Sequence, residues 1–412
     1  MQHTDILIAG GGLAGSTAAA MLGRKGFAVT LVDPHPVYPA DFRCEKIDSS
    51  QVAVLRKTGL ADAVLKAGTF DEASWIARYG RVLDCRPGDQ HGIMYDVLVN
   101  TMRSQISPKV AQLYSKVSEI SLSSEQQTVT LANGEAICAR LVVLANGLNS
   151  GLRHKLHMAQ EILSPCHSIM LGFDLVPRGR AKFDFPAMTY YSERPSDRTA
   201  YITMFPIGAT MRANFCVYRD MQDPWLRAFR DAPQQVLFDS LPGLRRVLGD
   251  FDVPDFVKVR PADLYVTRHY LRAGIVLVGD AFATSCPAAG TGTSKVFTDV
   301  ERLCNAHVPQ WFATPGMGVE KISSFYHDPV KQACDAHSLA KAYSLRSLSL
   351  DTGLRPRLGR SARFAMRFAV GVTRRTRGRL RALMTPLAPQ TTPSAAEPIA
   401  ARKRQPSAGR LG

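Results

Sequence analysis

The 412-residue sequence predicts an α/β protein in which a parallel-sheet domain is interleaved with an antiparallel β-sheet domain and followed by a basic tail. Three observations predict it. A glycine-rich turn joins a strand to a helix at residues 9–16, the texture over 167–218 is β-rich, and an apolar strand returns at 275–278 after helical segments have intervened. A chain this long has room for a large buried core, and its length favours two domains over one.

In chain order, apolar Ile6, Leu7 and Ile8, three glycines, a helical run at 13–24 and the run 27–32 read as strand, turn, helix, strand, which is a βαβ unit. Gly10, Gly12 and Gly15 stand in G-x-G-x-x-G register, with Leu13 and Ala14 opening the helix. Gly10 permits the tight turn, Gly12 lets a pyrophosphate approach the backbone, and Gly15 lets helix and strand pack closely. The helix N-terminus stabilises phosphate charge. Asp33 ends the second strand, where a carboxylate would accept ribose hydroxyls. Together these features read as a Rossmann-like dinucleotide-binding unit.

Apolar spacing predicts helices over 51–67 and 97–106, and the Asn133-Gly134 turn predicts a hairpin feeding a buried strand at 141–145. Segments 188–191, 200–205 and 211–218, separated by turn signals, read as an antiparallel sheet. Helix-like runs follow at 224–238 and 241–248. The expected domains are therefore 1–166 with 260–335, a β-rich substrate domain at 167–259, and a helical region at 336–384. The Pro, Ser, Ala and Thr-rich end at 385–412 has a disordered composition.

The net charge of +16 is unevenly placed. Residues 355–412 carry thirteen Arg and one Lys against the single acid Glu397, so +13 belongs to the tail and +3 to the body. Within 361–384, basic residues alternate with Phe364, Met366, Phe368, Val370, Leu380 and Leu383, the pattern of a basic amphipathic helix able to lie on anionic lipid. The alternative is a solvated basic tail. No base-stacking module accompanies the charge, so nucleic acid is not an expected partner. Eight scattered cysteines with no C-x-x-C pair predict reduced thiols in a cytoplasmic setting, and isolated His167, His269 and His327 predict no metal. The N-terminus has no signal-peptide pattern and no apolar stretch approaches ~20 residues, so neither export nor a membrane span is expected; peripheral contact at the inner face of a membrane stays open. Monomer and dimer both stay open.

Three further segments carry a family likeness: Arg43, ten residues past Asp33; residues 141–147, ending in Asn146-Gly147, with Ser150 and Arg153 beyond; and residues 274–299, with Val278-Gly279-Asp280-Ala281, Pro287 and Gly290-Thr291-Gly292. Over about residues 4–335 the sequence resembles the FAD-dependent aromatic hydroxylases related to p-hydroxybenzoate hydroxylase, including the ubiquinone-pathway hydroxylases. The resemblance implies FAD as cofactor, with Arg43 against it, Asp280 bonded to the ribityl chain and Pro287 at the ring edge. Backbone N–H groups from Gly290 to Thr293 would open a helix beneath the ring, whose N-terminus stabilises the reduced flavin. This sequence has Asn146-Gly147 where the family has Asp-Gly, Ala283 where a histidine is common, and Thr293-Ser294 in place of asparagine.

The activity implied is that of a single-component monooxygenase. NADPH or NADH reduces FAD, and a flavin C4a-hydroperoxide passes one oxygen to an aromatic or olefinic small molecule. No second G-x-G-x-x-G lies on a βαβ unit, so the nicotinamide would bind transiently. No side chain is assigned a catalytic role. Substrate candidates from the β-rich domain are Tyr190, Tyr201, Met204, Phe205, Arg212 and Phe215, with Cys286 a packing residue near the ring. Rival readings are an FAD-dependent reductase or dehydrogenase of an isoprenoid-like substrate and a flavin-binding membrane-surface protein. A flavin halogenase is disfavoured, because Trp75, Trp225 and Trp311 stand too far apart for its W-x-W-x-I-P element.

Overall fold

Ile6, Leu7, Ile8 and Ala9 are wholly buried because their strand, Gln2–Ala9, has parallel neighbours on both sides. Ile6 stands opposite Val29 of the Val29–Val32 strand and opposite Leu141 of Ala136–Leu144. Apolar runs of this kind suit a parallel sheet covered on both faces. The computed structural model describes residues 2–354 together with 358–359, 361–362, 364–366 and 368–373. Its first sheet runs Ala111–Leu113, Val29–Val32, Gln2–Ala9, Ala136–Leu144, Gln127–Leu131, Val117–Ser121, and Ile275–Leu277 adds to it as a parallel neighbour of Ala136–Leu144. The expected hairpin at Asn133-Gly134 is the antiparallel pair Gln127–Leu131 and Ala136–Leu144. Helix Leu13–Arg24 is buried from Leu13 to Leu22, and Ala18, Ala19 and Ala20 let it lie close against the sheet.

The second sheet is antiparallel apart from one pair and is organised on the long strand Gln160–Pro177. That strand pairs with Lys258–Thr267 on one side and Thr210–Val217 on the other, followed by Thr199–Ile207 and Ala187–Tyr191. Its outer face packs on helices Pro224–Asp231 and Pro233–Ser240 through Phe173, Phe215, Phe229 and Leu237. Two strands from the earlier part of the chain, Ala73–Arg78 and Arg81–Pro87, also belong to this sheet, the former pairing parallel with Ala187–Tyr191. A pairing that spans more than a hundred residues leaves no local sequence signal. A small third sheet joins Lys46–Asp48, Gln90–Gly92 and Thr69–Phe70.

Two expected helices are broken. The helix over 51–67 becomes Ser49–Lys57 and Ala61–Ala67, interrupted where Gly59 adopts φ +71°. The helix over 224–238 divides before Pro233, which lacks an N–H and sterically ends the preceding turn. Helix Pro329–Leu350 starts at Asp328, whose side chain accepts the Val330 and Lys331 N–H groups. Beyond it, the described residues of 358–373 are helical, while all the basic residues of the 361–384 segment and all of the 385–412 end lie outside the described residues. Among the described residues, no helix is long and apolar enough to cross a membrane.

Candidate active site

A cleft of about 480 Å³ opens at the end of the first sheet, where the strand–turn–helix glycines lie. Gly10 has φ +107°, and a Cβ on it would meet the Ala145 carbonyl, so the turn closes only with glycine. A Cβ on Gly15 would fall on the Gly10 carbonyl oxygen. At Gly12 the nearest atom would be a Tyr38 carbon at 3.9 Å, which leaves open space along the backbone. No side chain caps the Leu13–Arg24 helix and no acid sits in its first turn, so its N–H groups face the cleft with their partial positive charge. Asp33 lines the same cleft. One of its oxygens accepts the Gly11 N–H at 2.7 Å, and the other pairs with Arg103 at 3.0 Å. Arg103 also donates to the Gly11 carbonyl at 2.7 Å and so clamps the turn. Only its place in the last turn of Tyr95–Ser104 marks it, and sequence reasoning passed it over.

Asn146 and Gly147 form the opposite wall. The Asn146 amide donates to the Asn149 carbonyl at 2.9 Å, whereas its Oδ1 is buried without a partner. A buried acceptor with no partner facing a cleft suits a ligand donor there. Arg153 is almost completely buried and donates to Gly147 O at 2.9 Å and Ala281 O at 3.1 Å, which ties this turn to the segment carrying Asp280. Asp280 pairs with Arg43 at 3.1 Å, and Arg43 also pairs with Asp41 at 2.6 Å. Burial pushes the Asp41 carboxyl up, yet Arg43 and Arg260 outweigh it and hold Asp41 below the usual carboxylate range.

The Asp280 turn is braced from behind. The Gly279 N–H donates to Asp299 at 2.9 Å; Asp299 pairs with the buried Lys331 at 2.8 Å, and Lys331 reaches Asp335 at 3.1 Å. Burial works against the Lys331 charge, but Asp299 and Asp335 raise its pKa above the ordinary lysine value.

Arg43, Tyr95, Leu13, Asp280 and Val296 also line a second cavity of about 430 Å³, so the two spaces adjoin. Its floor is the second sheet. Arg260, Met170, Cys216 and Tyr201 stand opposite one another across four strands, and Asn214 and Thr203 form the next row. Pro287, Gly290, Gly292 and Thr293 close the side where helix Gly292–Arg302 begins, without a side-chain cap, after Gly290 at φ +64°. Tyr201 donates to the Ala288 carbonyl at 2.5 Å, and Gln51 to Gly290 O at 3.1 Å. Glu45, fully buried, accepts Arg212 at 2.8 and 2.9 Å and Asn214 at 2.7 Å, and Arg212 also pairs with Asp174 at 3.1 Å. Burial raises the thiols of Cys44 and Cys286, and pushes Cys216 up to about 12, so the three cysteines of this cavity stay protonated at neutral pH.

The period of two along a strand sorts the six substrate candidates. Tyr201 lines the cavity. Phe205 and Arg212 share its face two rows on, where Arg212 is committed to Glu45 and Asp174. Tyr190, Met204 and Phe215 point to the other face and are packed in the core with the helices, so they do not reach the cavity. The cavity-facing Thr203, Asn214 and Cys216, together with Glu45 and Lys46, went unnoticed in the sequence. The flavin-related residues fall into two groups on the adjoining spaces. Gly10, Gly12, Leu13, Ala14, Asp33, Arg43, Asn146, Gly147 and Asp280 line the cleft; Pro287, Gly290, Gly292 and Thr293 line the cavity. Gly15 and Gly279 act behind these walls.

A glycine-lined cleft at one helix N-terminus, adjoining a second cavity at another, fits a flavoprotein of the oxidoreductase class. The chain belongs to the FAD binding domain family, which matches residues 3–306. It is 26% identical over 343 residues to the 3-demethoxyubiquinol 3-hydroxylase of Escherichia coli K12, covering 74% of this chain and 80% of that protein. It is 22% identical to the 6-hydroxynicotinate 3-monooxygenase of Pseudomonas fluorescens, over 72% of this chain and 81% of that protein. Among solved structures, the p-nitrophenol 4-monooxygenase of Pseudomonas putida DLL-E4 superposes with a TM-score of 0.71 at 16% identity, over 94% of this chain and 100% of that one, a likeness of fold. FAD is the cofactor, and the enzyme is an FAD-dependent monooxygenase.

Proposed function

We propose that the chain hydroxylates an aromatic or olefinic small molecule held in the second cavity, as a single-component enzyme reduced by NADPH or NADH. The observation that carries this reading is the junction of the two spaces at Arg43, Tyr95 and Asp280, beside the uncapped N-terminus of helix Gly292–Arg302. When bound, FAD supplies the redox chemistry, accepting hydride from the nicotinamide and activating O₂. The residues of the chain bind and orient. The Gly12 backbone and the first helix N-terminus hold the pyrophosphate, Asp33 the ribose hydroxyls, and Asp280 with Arg43 the ribityl chain. The dipole of helix Gly292–Arg302 favours negative charge developing on the ring. The wall made by Met170, Tyr201, Cys216 and Pro287 excludes water, which keeps reducing equivalents from being lost as peroxide. The relatives named above, by name a 3-demethoxyubiquinol 3-hydroxylase and a 6-hydroxynicotinate 3-monooxygenase, support hydroxylation of an aromatic compound.

In this reading the two sheets correspond to interleaved domains, flavin-binding over 1–166 and 260–335 and substrate-binding over 167–259, with the 73–87 strands contributed to the second. The basic segment 361–384 would give a cytoplasmic enzyme a peripheral membrane contact; flotation with anionic liposomes that is equal for the whole chain and for one lacking 355–412 would exclude it. The catalytic reading is tested with ¹⁸O₂ and NADPH over a panel of phenols. One labelled oxygen per product supports it, and product formed without label refutes it.

A further inference from the structure

Among the described residues, the second cavity has one lining cation without an ion pair, although Asp48 and Asp71 lie near enough to favour its charge. Lys46 opens the Lys46–Asp48 strand and lines the cavity, and its ammonium lies 5.3 Å from the centre of the Phe205 ring. Among the described residues its Nζ makes no hydrogen bond and no ion pair. The other cations in the wall are committed, Arg43 to Asp41 and Asp280, and Arg260 to Asp41. So are the wall's other carboxylates. Glu45 is held by Arg212 and Asn214, Asp48 caps the Ser49–Lys57 helix, and Asp263 accepts the Cys166 N–H. Burial pulls the Lys46 pKa below the ordinary lysine value, so carrying charge there costs free energy that an anion entering the cavity would offset.

The lysine also has a defined place. Tyr201 touches the Ala288 carbonyl of the turn that leads into helix Gly292–Arg302. Phe205 lies four residues further along the same strand, on the same face, and therefore about 13 Å away. Lys46 over Phe205 thus stands toward the end of the cavity remote from that turn.

We propose that Lys46 is the specificity-determining residue of this cavity, and that the substrate is an aromatic bearing a carboxylate that pairs with the Lys46 ammonium while its ring points toward the Pro287–Ala289 turn. The inference rests on the second cavity being the substrate site of a flavin hydroxylase. A carboxylate fixed at one end orients the ring, because a charge-assisted pair is directional and its loss leaves the ammonium buried and alone.

The test is calorimetric binding to the FAD-loaded protein of benzoate and cinnamate against benzamide and cinnamamide, for wild type, Lys46→Met and Lys46→Arg. Wild type should bind the carboxylates about 10- to 100-fold more tightly than the amides. Lys46→Met should erase that preference and Lys46→Arg should keep most of it; Lys46→Gln replaces the Met variant if that one fails to hold FAD. Equal binding of acid and amide by wild type, binding of neither, or a preference that survives Lys46→Met and Lys46→Gln overturns the proposal. NADPH-dependent O₂ consumption is measured in parallel. A Lys46-dependent preference without turnover preserves this inference and sinks the hydroxylase reading, whereas turnover confined to neutral aromatics does the reverse.

Discussion

Replacing Gly12 and Gly15 by alanine separates cofactor binding from folding, although the two glycines lie in one turn. At Gly15 the new methyl would land on the Gly10 carbonyl oxygen, with Ile8 behind it, so helix and strand must move apart. Forced overpacking of that kind costs about 1–3 kcal/mol, and more where backbone is the obstacle. At Gly12 the backbone is extended, with φ −73° and ψ −165°, a conformation alanine adopts, and the nearest atom would be 3.9 Å away. Gly12→Ala should therefore fold with unchanged melting temperature as apoprotein. Its methyl, however, occupies the space the pyrophosphate needs. Losing one charge-assisted hydrogen bond there, at about 1.5–3 kcal/mol, weakens FAD by about 10- to 150-fold. Apoprotein melting and calorimetric FAD titration measure the two effects independently. A Gly12→Ala protein that binds FAD like wild type would refute the placement of the phosphate at this turn, and a Gly15→Ala protein as stable as wild type would refute the close packing of helix on strand.

Other consequences can be measured on the same preparation. Lys331→Met strands the buried Asp299, while Asp335 keeps Lys295, so stability should fall by about 3–5 kcal/mol, with partial recovery in Lys331→Met combined with Asp299→Asn; chemical denaturation yields both numbers, and no recovery would contradict the pairing. Asp328 caps helix Pro329–Leu350. Burial raises its pKa, but the Lys331 N–H, His307 and Arg302 outweigh that and lower it, so its contribution is present above the unfolded carboxylate pKa of about 3.9 and is lost as pH falls through the lower folded value. Asp328→Asn keeps a capping oxygen but removes the charge that faces Arg302, so it should cost about 0.2–1 kcal/mol at neutral pH and nothing measurable near the acid limit, which denaturation at several pH values checks. With an alkylating reagent at neutral pH, mass mapping should find exposed Cys85 modified first, and Cys44, Cys216 and Cys286 only after unfolding.

The parts of this enzyme that were legible in its sequence are those fixed by a few adjacent residues. Gly10, Gly12 and Gly15 are constrained by the backbone itself, and Asp33 follows at the end of a four-residue strand, so the nucleotide cleft was readable without knowing what surrounds it. The antiparallel strands were readable too, but their orientation was not. Along 201–205 and 212–216 the polar Thr203, Arg212 and Asn214 fall on one face and the apolar Ile202, Met204, Ala213 and Phe215 on the other, but nothing local says which face the cavity takes. Of the six candidates, Tyr190, Met204 and Phe215 lie on the core face. Glu45 and Lys46 follow Arg43 in a stretch with no motif, and Glu45 finds Arg212 from 167 positions away. Arg103 on Asp33 and Lys331 behind Asp280 are likewise tertiary facts.

The most direct measurement of the central claim is the visible spectrum of the purified protein, followed anaerobically while NADPH and then NADH are added with a carboxylate-bearing aromatic present. The account predicts a flavin band that bleaches with one of the two nucleotides and returns when oxygen is admitted, with hydroxylated product formed in step. A protein that carries no flavin after incubation with FAD, or a bound flavin that neither nucleotide reduces, would contradict it.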